Sequence, residues 1–180
     1  VIMPRMAYFF AEGDYDQVNV LLRKICGFNA LIGLPCAVGT VMMSEDIITL
    51  VGGSEYKGAS IVLQIFMIGF VFDLFGGNLI GNSMLLPAKR EKTLMLVCCF
   101  TAIVNVITNY LLIPRWGVIA AAGTTTFCRI LMFVILLFTI DKRIKLKKLS
   151  RLFITPLLGS VGIILFCLIG RKIELLLPRV

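Results

Sequence analysis

The sequence has no histidine among its 180 residues, only 10 acidic residues, and a charged fraction of 16%. Soluble domains carry about 25% charged residues, so this composition argues against a soluble globular fold. The few acids are scattered, which disfavours a metal centre, acid–base catalysis and hence a membrane-embedded glycosyltransferase. The 6 cysteines include no CxxC pair, and without histidine we predict neither a zinc site nor a disulfide framework. We also predict no cofactor and no enzyme activity.

Apolar residues dominate the chain instead, at 59% of the sequence and a mean hydropathy of +0.98. A membrane-spanning helix needs about 20 mostly apolar residues to cross roughly 30 Å of hydrocarbon. Windows of that length cover residues 24–43, 59–83, 93–113, 117–140 and 152–170. We therefore predict an all-α, multi-pass transmembrane bundle forming one membrane domain over residues 1–180, with about five spans and additional interfacial helices. The tight connectors PAKREK and PRWG predict antiparallel neighbours.

The formal net charge of +8 comes from basic residues concentrated in alternate loops, around residues 5–23, 84–92 and 141–151. This alternation is the pattern of the positive-inside rule, so we predict that these loops are cytoplasmic and that the charge does not serve nucleic-acid binding. The loop at 141–151 is also amphipathic, which predicts contact with anionic lipids of the inner leaflet.

Two full charges, Asp73 and Arg129, fall inside predicted spans, at depths of about 21 and about 18 Å from the outer ends of their helices. A charge at such depth costs about 2.5 to 3.5 kcal/mol even on the mildest insertion scale, so each needs a partner or a wet cavity. One interpretation is an ion pair that fixes helix register. The other is that Arg129 lines an aqueous cavity and contacts an anionic substrate, since guanidinium binds phosphate in a bidentate manner.

Carboxamides form a second polar feature of the predicted spans. Asn105 and Asn109 lie on one face of the window at 93–113, together with two threonines, and this stripe predicts either interhelical hydrogen bonds or the lining of a cavity. In VFDLFGGNLIGN, Asn78 follows Gly76 and Gly77, a pair that predicts a kink or unwound backbone.

Pro35 similarly predicts a break in the first span. Discontinuous helices at membrane midplanes are typical of transporters. We therefore assign Pro35, Gly76 and Gly77 as hinges, and Arg129, Asp73, Asn78, Asn105 and Asn109 as the lining of a substrate cavity.

The order of motifs resembles the C-terminal half of bacterial polysaccharide flippases of the multidrug/oligosaccharidyl-lipid/polysaccharide (MOP) superfamily, of the O-antigen or teichoic-acid type. The resemblance is carried by PRMAYFFAEGD, by LPCAVG in the first span, by Asn105 and Asn109 before Ile113 and Pro114, and by the small residues at 120–123. Arg129 matches no shared position of the family, so its assignment rests on its burial alone.

The resemblance implies one lobe of a two-lobed transporter whose N-terminal half belongs to the same, longer chain. It implies movement of an undecaprenyl-diphosphate-linked oligosaccharide from the inner to the outer leaflet by alternating access, in surface polysaccharide biosynthesis. A bacterial inner membrane location and a coupling ion, H⁺ or Na⁺, are further implications. The alternatives are ion-coupled export of organic cations by the related multidrug branch, with Asp73 as the cation site, and a purely structural subunit.

Overall fold

The computed structural model describes residues 2–144, 156, 159–165, 167 and 169, which contain helices and short turns and no strand. The elements are α1 (Ile2–Glu12), α2 (Tyr15–Met42), α3 (Ser44–Gly52), a 3₁₀ helix (Ser54–Ala59), α4 (Ser60–Asp73), a π-helix here called the π segment (Leu74–Leu85), and α5 (Glu91–Phe138). Three stretches of the described chain are long and apolar enough to cross a membrane: Tyr15–Met42, Ser54–Leu85 and Glu91–Phe138. The predicted all-α membrane bundle is confirmed.

A sharp turn separates α1 from α2. Gly13 has a φ of 72°, which an L residue rarely adopts, and the Asp14 carboxylate caps α2 by accepting a hydrogen bond from the Gln17 amide at 3.0 Å. From Tyr15 onward the helix continues into the first predicted span without interruption. The polar stretch just before the first predicted span is therefore the first part of α2.

α2 remains α-helical across Pro35. The predicted break at this position is not observed, and the role of Pro35 as a hinge stays a prediction. Pro35 instead faces the described part of the fifth predicted span: a Cβ on Gly159 would lie 4.0 Å from its ring, and a Cβ on Gly39 would lie 3.8 Å from Ile163. The rest of the window at 152–170, and loop residues 145–151, lie outside the described residues.

α5 is a helical hairpin and not a single rod. A straight helix of 48 residues would be about 72 Å long, more than twice the thickness of the hydrocarbon core. Arg90, just before its first residue, donates a hydrogen bond of 2.7 Å to the carbonyl of Thr139, just after its last. The chain reverses at Gly117, whose φ of 58° and ψ of −138° are not helical. We name the two arms α5a (91–116) and α5b (118–138), and this reversal confirms that PRWG is a tight connector.

Gly117→Ala is expected to destabilise the protein by about 1–2 kcal/mol, because the positive φ places a Cβ against its own backbone. Among the described residues, and apart from its two chain neighbours, nothing lies within 4 Å of a Cβ at this position, so the cost is one of backbone conformation. Gly123→Ala is the matched control, since that helical glycine also faces open space and alanine is the better helix former. Thermal unfolding of the complete protein in detergent measures both; equal melting temperatures would contradict the expectation.

Described parts of the three basic loops lie at one end of the bundle. Besides the contact between Arg90 and Thr139, Asn19 of α2 donates a hydrogen bond of 3.3 Å to the Arg143 carbonyl, and the Arg143 guanidinium lies 4.8 Å from the centre of the Tyr15 ring. We call this the basic end. The main apolar core lies here too, and its fully buried members include Met6, Val18, Leu22, Cys26 and Leu136.

The π segment begins immediately after Asp73 and includes Gly76 and Gly77, so the predicted irregularity is present as a wider helix instead of a kink. Close packing surrounds it. A Cβ on Gly76 would lie 3.0 Å from the Phe133 Cα of α5b, and one on Gly81 would lie 3.1 Å from Leu94 of α5a. The Asn29 side chain of α2 donates to the Leu74 carbonyl at 3.2 Å, satisfying an acceptor where the α-helix ends.

Candidate functional site

The two charges in the apolar helices face each other. Nη1 of Arg129 on α5b lies 3.6 Å from Oδ2 of Asp73, the last residue of α4. The two side chains keep 38% and 46% of their surface exposed, respectively, so the pair borders an open side of the described bundle and is not sealed within it.

Small and hydroxyl side chains between α4 and α5b position this pair. Thr126 donates a hydrogen bond of 2.9 Å to the carbonyl of Ile65, which ties α5b to α4 one turn before Arg129. A Cβ on Gly69 would lie 3.1 Å from Cδ of Arg129 and 3.0 Å from Oγ1 of Thr126. The missing side chain at Gly69 therefore lets the aliphatic part of Arg129 cross α4 on its way to Asp73.

The guanidinium keeps unused hydrogen-bonding capacity. A separation of 3.6 Å is a Coulombic contact and lies beyond the usual hydrogen-bond range. An arginine carries five N–H donors in a planar fork, suited to two oxygens of one phosphate. With Asp73 balancing its charge from one side, Arg129 can be held inside an apolar bundle and still offer donors to a second anion.

Two of the three predicted asparagines, Asn105 and Asn109, form a separate group on the α5 hairpin. Asn109 donates to Oδ1 of Asn105 at 2.9 Å, and Thr124 of α5b donates to Oδ1 of Asn109 of α5a. These residues cross-link the two arms near the Gly117 reversal. These contacts support the interpretation of the polar stripe as a source of interhelical hydrogen bonds. A role of these residues in lining a cavity stays a prediction.

Asn109→Leu is expected to cost about 0.6–1.7 kcal/mol of stability, the range of interhelical hydrogen bonds in membrane bundles, and to leave the transport that the resemblance implies largely intact. Thr124→Val should cost a similar amount, and the double variant should cost less than the sum because both single changes remove one contact. Thr125→Val is the control, since in the described part of the chain its hydroxyl bonds within its own arm, to the Ala121 carbonyl at 2.8 Å. A transport loss larger than the stability loss would assign Asn109 to the substrate path.

Asn78 does not join either group. It is exposed in a cleft at the basic end, together with Asn29, Asn82 and Ser83, and the cleft is bounded by α1, α2 and the π segment. The five predicted cavity residues therefore lie in three places: the Asp73–Arg129 pair, the cross-link of the α5 hairpin, and this cleft.

Sequence reasoning missed Gly69 and Thr126, which position Arg129, and Asn29, which holds the start of the π segment. Asn29 had a usable signal, because an amide in the middle of an apolar window needs a partner in the membrane. Gly69 and Thr126 had none, since small and hydroxyl residues are common on packed membrane helices.

The apolar helices, the hairpin and the ion pair between two spanning helices define a multi-pass membrane protein of the helix-bundle class. Comparison with known proteins narrows the class: the profile of the family described as lipid II flippase MurJ matches residues 1–174. The chain belongs to this family. Its membership places it among the MOP flippases, as the motifs indicated.

Two curated relatives agree with this assignment. An uncharacterized membrane protein of Methanocaldococcus jannaschii is 27% identical over 161 residues, which are 89% of this chain and 31% of the relative. The capsular polysaccharide biosynthesis protein CapF of Staphylococcus aureus is 26% identical over 138 residues, 74% of this chain and 33% of CapF. The chain spans about a third of the length of these relatives. No solved structure matches.

Proposed function

We propose that this chain is one lobe of a flippase that moves an undecaprenyl-diphosphate-linked oligosaccharide from the inner to the outer leaflet by alternating access, in the synthesis of a surface polysaccharide of the O-antigen or teichoic-acid type. The basic end faces the cytoplasm of a bacterial cell, and the N-terminal half of the same protein supplies the other lobe. Such a protein carries a headgroup across the membrane and makes or breaks no bond.

The observation that carries the proposal is the Asp73–Arg129 pair. A diphosphate headgroup is too strongly hydrated to enter hydrocarbon, so its carrier must offer fixed charge and hydrogen-bond donors at depth. Arg129 offers both from a spanning helix, at a side of the bundle where the pair is half-exposed. The MurJ family assignment supports a lipid-linked substrate in general.

The same ion pair suggests how substrate binding could be coupled to the uptake of an ion. Asp73 is the acid facing the guanidinium, so its charge is balanced in the structure. A substrate that displaces Arg129 from Asp73 would leave a free carboxylate, which can then accept a coupling H⁺ or Na⁺. This order of events links substrate arrival to ion uptake through one contact.

Organic-cation export finds no support in the family assignment or in the two relatives. The geometry also disfavours it, because a cation site at Asp73 would have to compete with a guanidinium 3.6 Å away.

Reconstitution of the complete protein tests the proposal. Proteoliposomes carrying a fluorescent undecaprenyl-diphosphate oligosaccharide in both leaflets are treated with a membrane-impermeant quencher. Protein-dependent flipping is expected to make the inner pool accessible, whereas empty liposomes retain it. Transport of ethidium with no movement of the glycolipid would overturn the proposal in favour of cation export.

A further inference from the structure

A cleft of about 630 Å³ opens at the basic end between α1, α2 and the π segment. Its position differs from that of the Asp73–Arg129 pair, since neither of those residues lines it. The proposed transport mechanism makes no use of it.

The charged residues that line the cleft are both cations: Arg5 of α1 and Lys24 of α2. Both are exposed, and within the described part of the chain neither has an acid within ion-pair distance. Asn78 and Asn82 of the π segment add exposed carboxamides to the same walls. Two positive charges beside amide donors form a site complementary to an anion with several oxygens.

The remaining walls are apolar. Ile2 keeps 51% and Phe28 65% of its surface exposed, and both line the cleft beside its cations. A small hydrophilic anion would leave these surfaces uncovered, whereas an apolar helix would leave the cations without a counter-charge. A ligand with an anionic head and a hydrocarbon chain satisfies both sets of walls.

The level of the cleft fits such a ligand. Lys24 stands at the start of the first predicted span, and Asn78 and Asn82 lie in the last turns of the π segment before it ends at Leu85. In the spans predicted from the sequence, this level corresponds to the boundary between headgroups and hydrocarbon, where lipid phosphates lie and where basic side chains attract them.

We propose that this cleft is a binding site for the phosphate headgroup of a membrane lipid. Arg5 and Lys24 contact the phosphate, Asn78 and Asn82 donate hydrogen bonds to its oxygens, and the lipid chain lies along Ile2 and Phe28. A resident phospholipid and a polyprenyl diphosphate waiting for transport both carry a phosphate headgroup on a hydrocarbon chain, so either could occupy the site. The proposal for the cleft therefore does not depend on the proposed transport function.

Lipid titration of the complete, delipidated protein in detergent, followed by native mass spectrometry, tests this site. One titration uses phosphatidylglycerol and the other a polyprenyl diphosphate. The double variant Arg5→Gln/Lys24→Gln is expected to raise Kd about tenfold for at least one of them, since charge-assisted hydrogen bonds are lost. Asn78→Asp, an exposed and nearly isosteric change, should raise the same Kd by repelling the phosphate.

Lys92→Gln/Lys142→Gln is the matched control, because it removes the same charge from exposed positions near the basic end that do not line the cleft. Its Kd values should stay within about twofold of those of the unchanged protein, as expected for a loss of long-range attraction only. The lipid whose Kd rises in the cleft variants identifies the occupant. Cleft variants that bind both lipids as the control does would overturn the inference, whatever the outcome of the flipping assay.

Discussion

Arg129→Gln is expected to reduce the rate of glycolipid flipping at least tenfold, because charge-assisted hydrogen bonds to a phosphate contribute about 1.5–3 kcal/mol and glutamine supplies no charge. Arg129→Lys should retain part of the rate, since lysine keeps the charge but loses the planar fork that binds two oxygens. The measurement is the flipping rate in proteoliposomes, accompanied by recovery of surface glycan in a flippase-deficient strain.

A loss of activity in the single variant has a second possible cause, because it leaves the Asp73 carboxylate without its cation. The double variant Asp73→Asn/Arg129→Gln separates the two. It removes both charges, so the penalty for an unpaired charge among apolar helices disappears and the fold should recover. If Arg129 binds the headgroup, the double variant is stable and still inactive; flipping at the unchanged rate would show that the pair only fixes helix register.

Composition and the placement of charges were enough to predict the fold class, because the membrane imposes the same constraints along the whole chain. A membrane span must be apolar over a fixed length, and loops rich in Lys and Arg must alternate with loops that contain few of them. PRWG could be predicted as a reversal because Pro114 weakens the helix and Gly117 tolerates the positive φ that the turn requires. The similar depths calculated for Asp73 and Arg129 also anticipated their contact.

The arrangement of the asparagines could not be predicted in the same way. An ideal α-helix turns about 100° per residue, which would put Asn78 about 140° around the helix from Asp73. The π segment has i→i+5 bonds, such as the Leu86 amide to the Gly81 carbonyl at 3.1 Å, and turns less per residue. It packs against α2 and α5, and local sequence does not encode those contacts.

The unbroken helix at Pro35 also reflects contacts with a neighbouring helix that the local sequence does not reveal. Proline removes one backbone hydrogen bond and disfavours a helix, yet neighbouring helices in a membrane can compensate. The described residues of the fifth predicted span pack beside Pro35 and Gly39, and α2 stays helical there. A sequence window cannot supply that neighbour.

Gly76→Ala is expected to destabilise the complete protein by about 1–3 kcal/mol, although alanine is normally the better helix residue, because overpacking outweighs propensity here. The added Cβ would lie 3.0 Å from Cα and 3.1 Å from Cβ of Phe133, and a backbone atom of α5b cannot move aside as a side-chain end can. Thermal unfolding in detergent measures the loss. A melting temperature as high as that of the Gly123→Ala control would show that α5b is not held against the π segment.

Gly77→Ala provides the contrasting case one residue later. Its Cβ would lie 2.7 Å from Oδ1 of Asp73, so the atom that must move belongs to a side chain and the cost in stability should be smaller than for Gly76→Ala. That side chain is the partner of Arg129, however, and displacing it changes the charge balance around the guanidinium. We therefore expect Gly77→Ala to change the flipping rate more than the melting temperature, and Gly76→Ala to do the reverse. Parallel losses in both measurements for both variants would mean that the glycine pair serves packing alone.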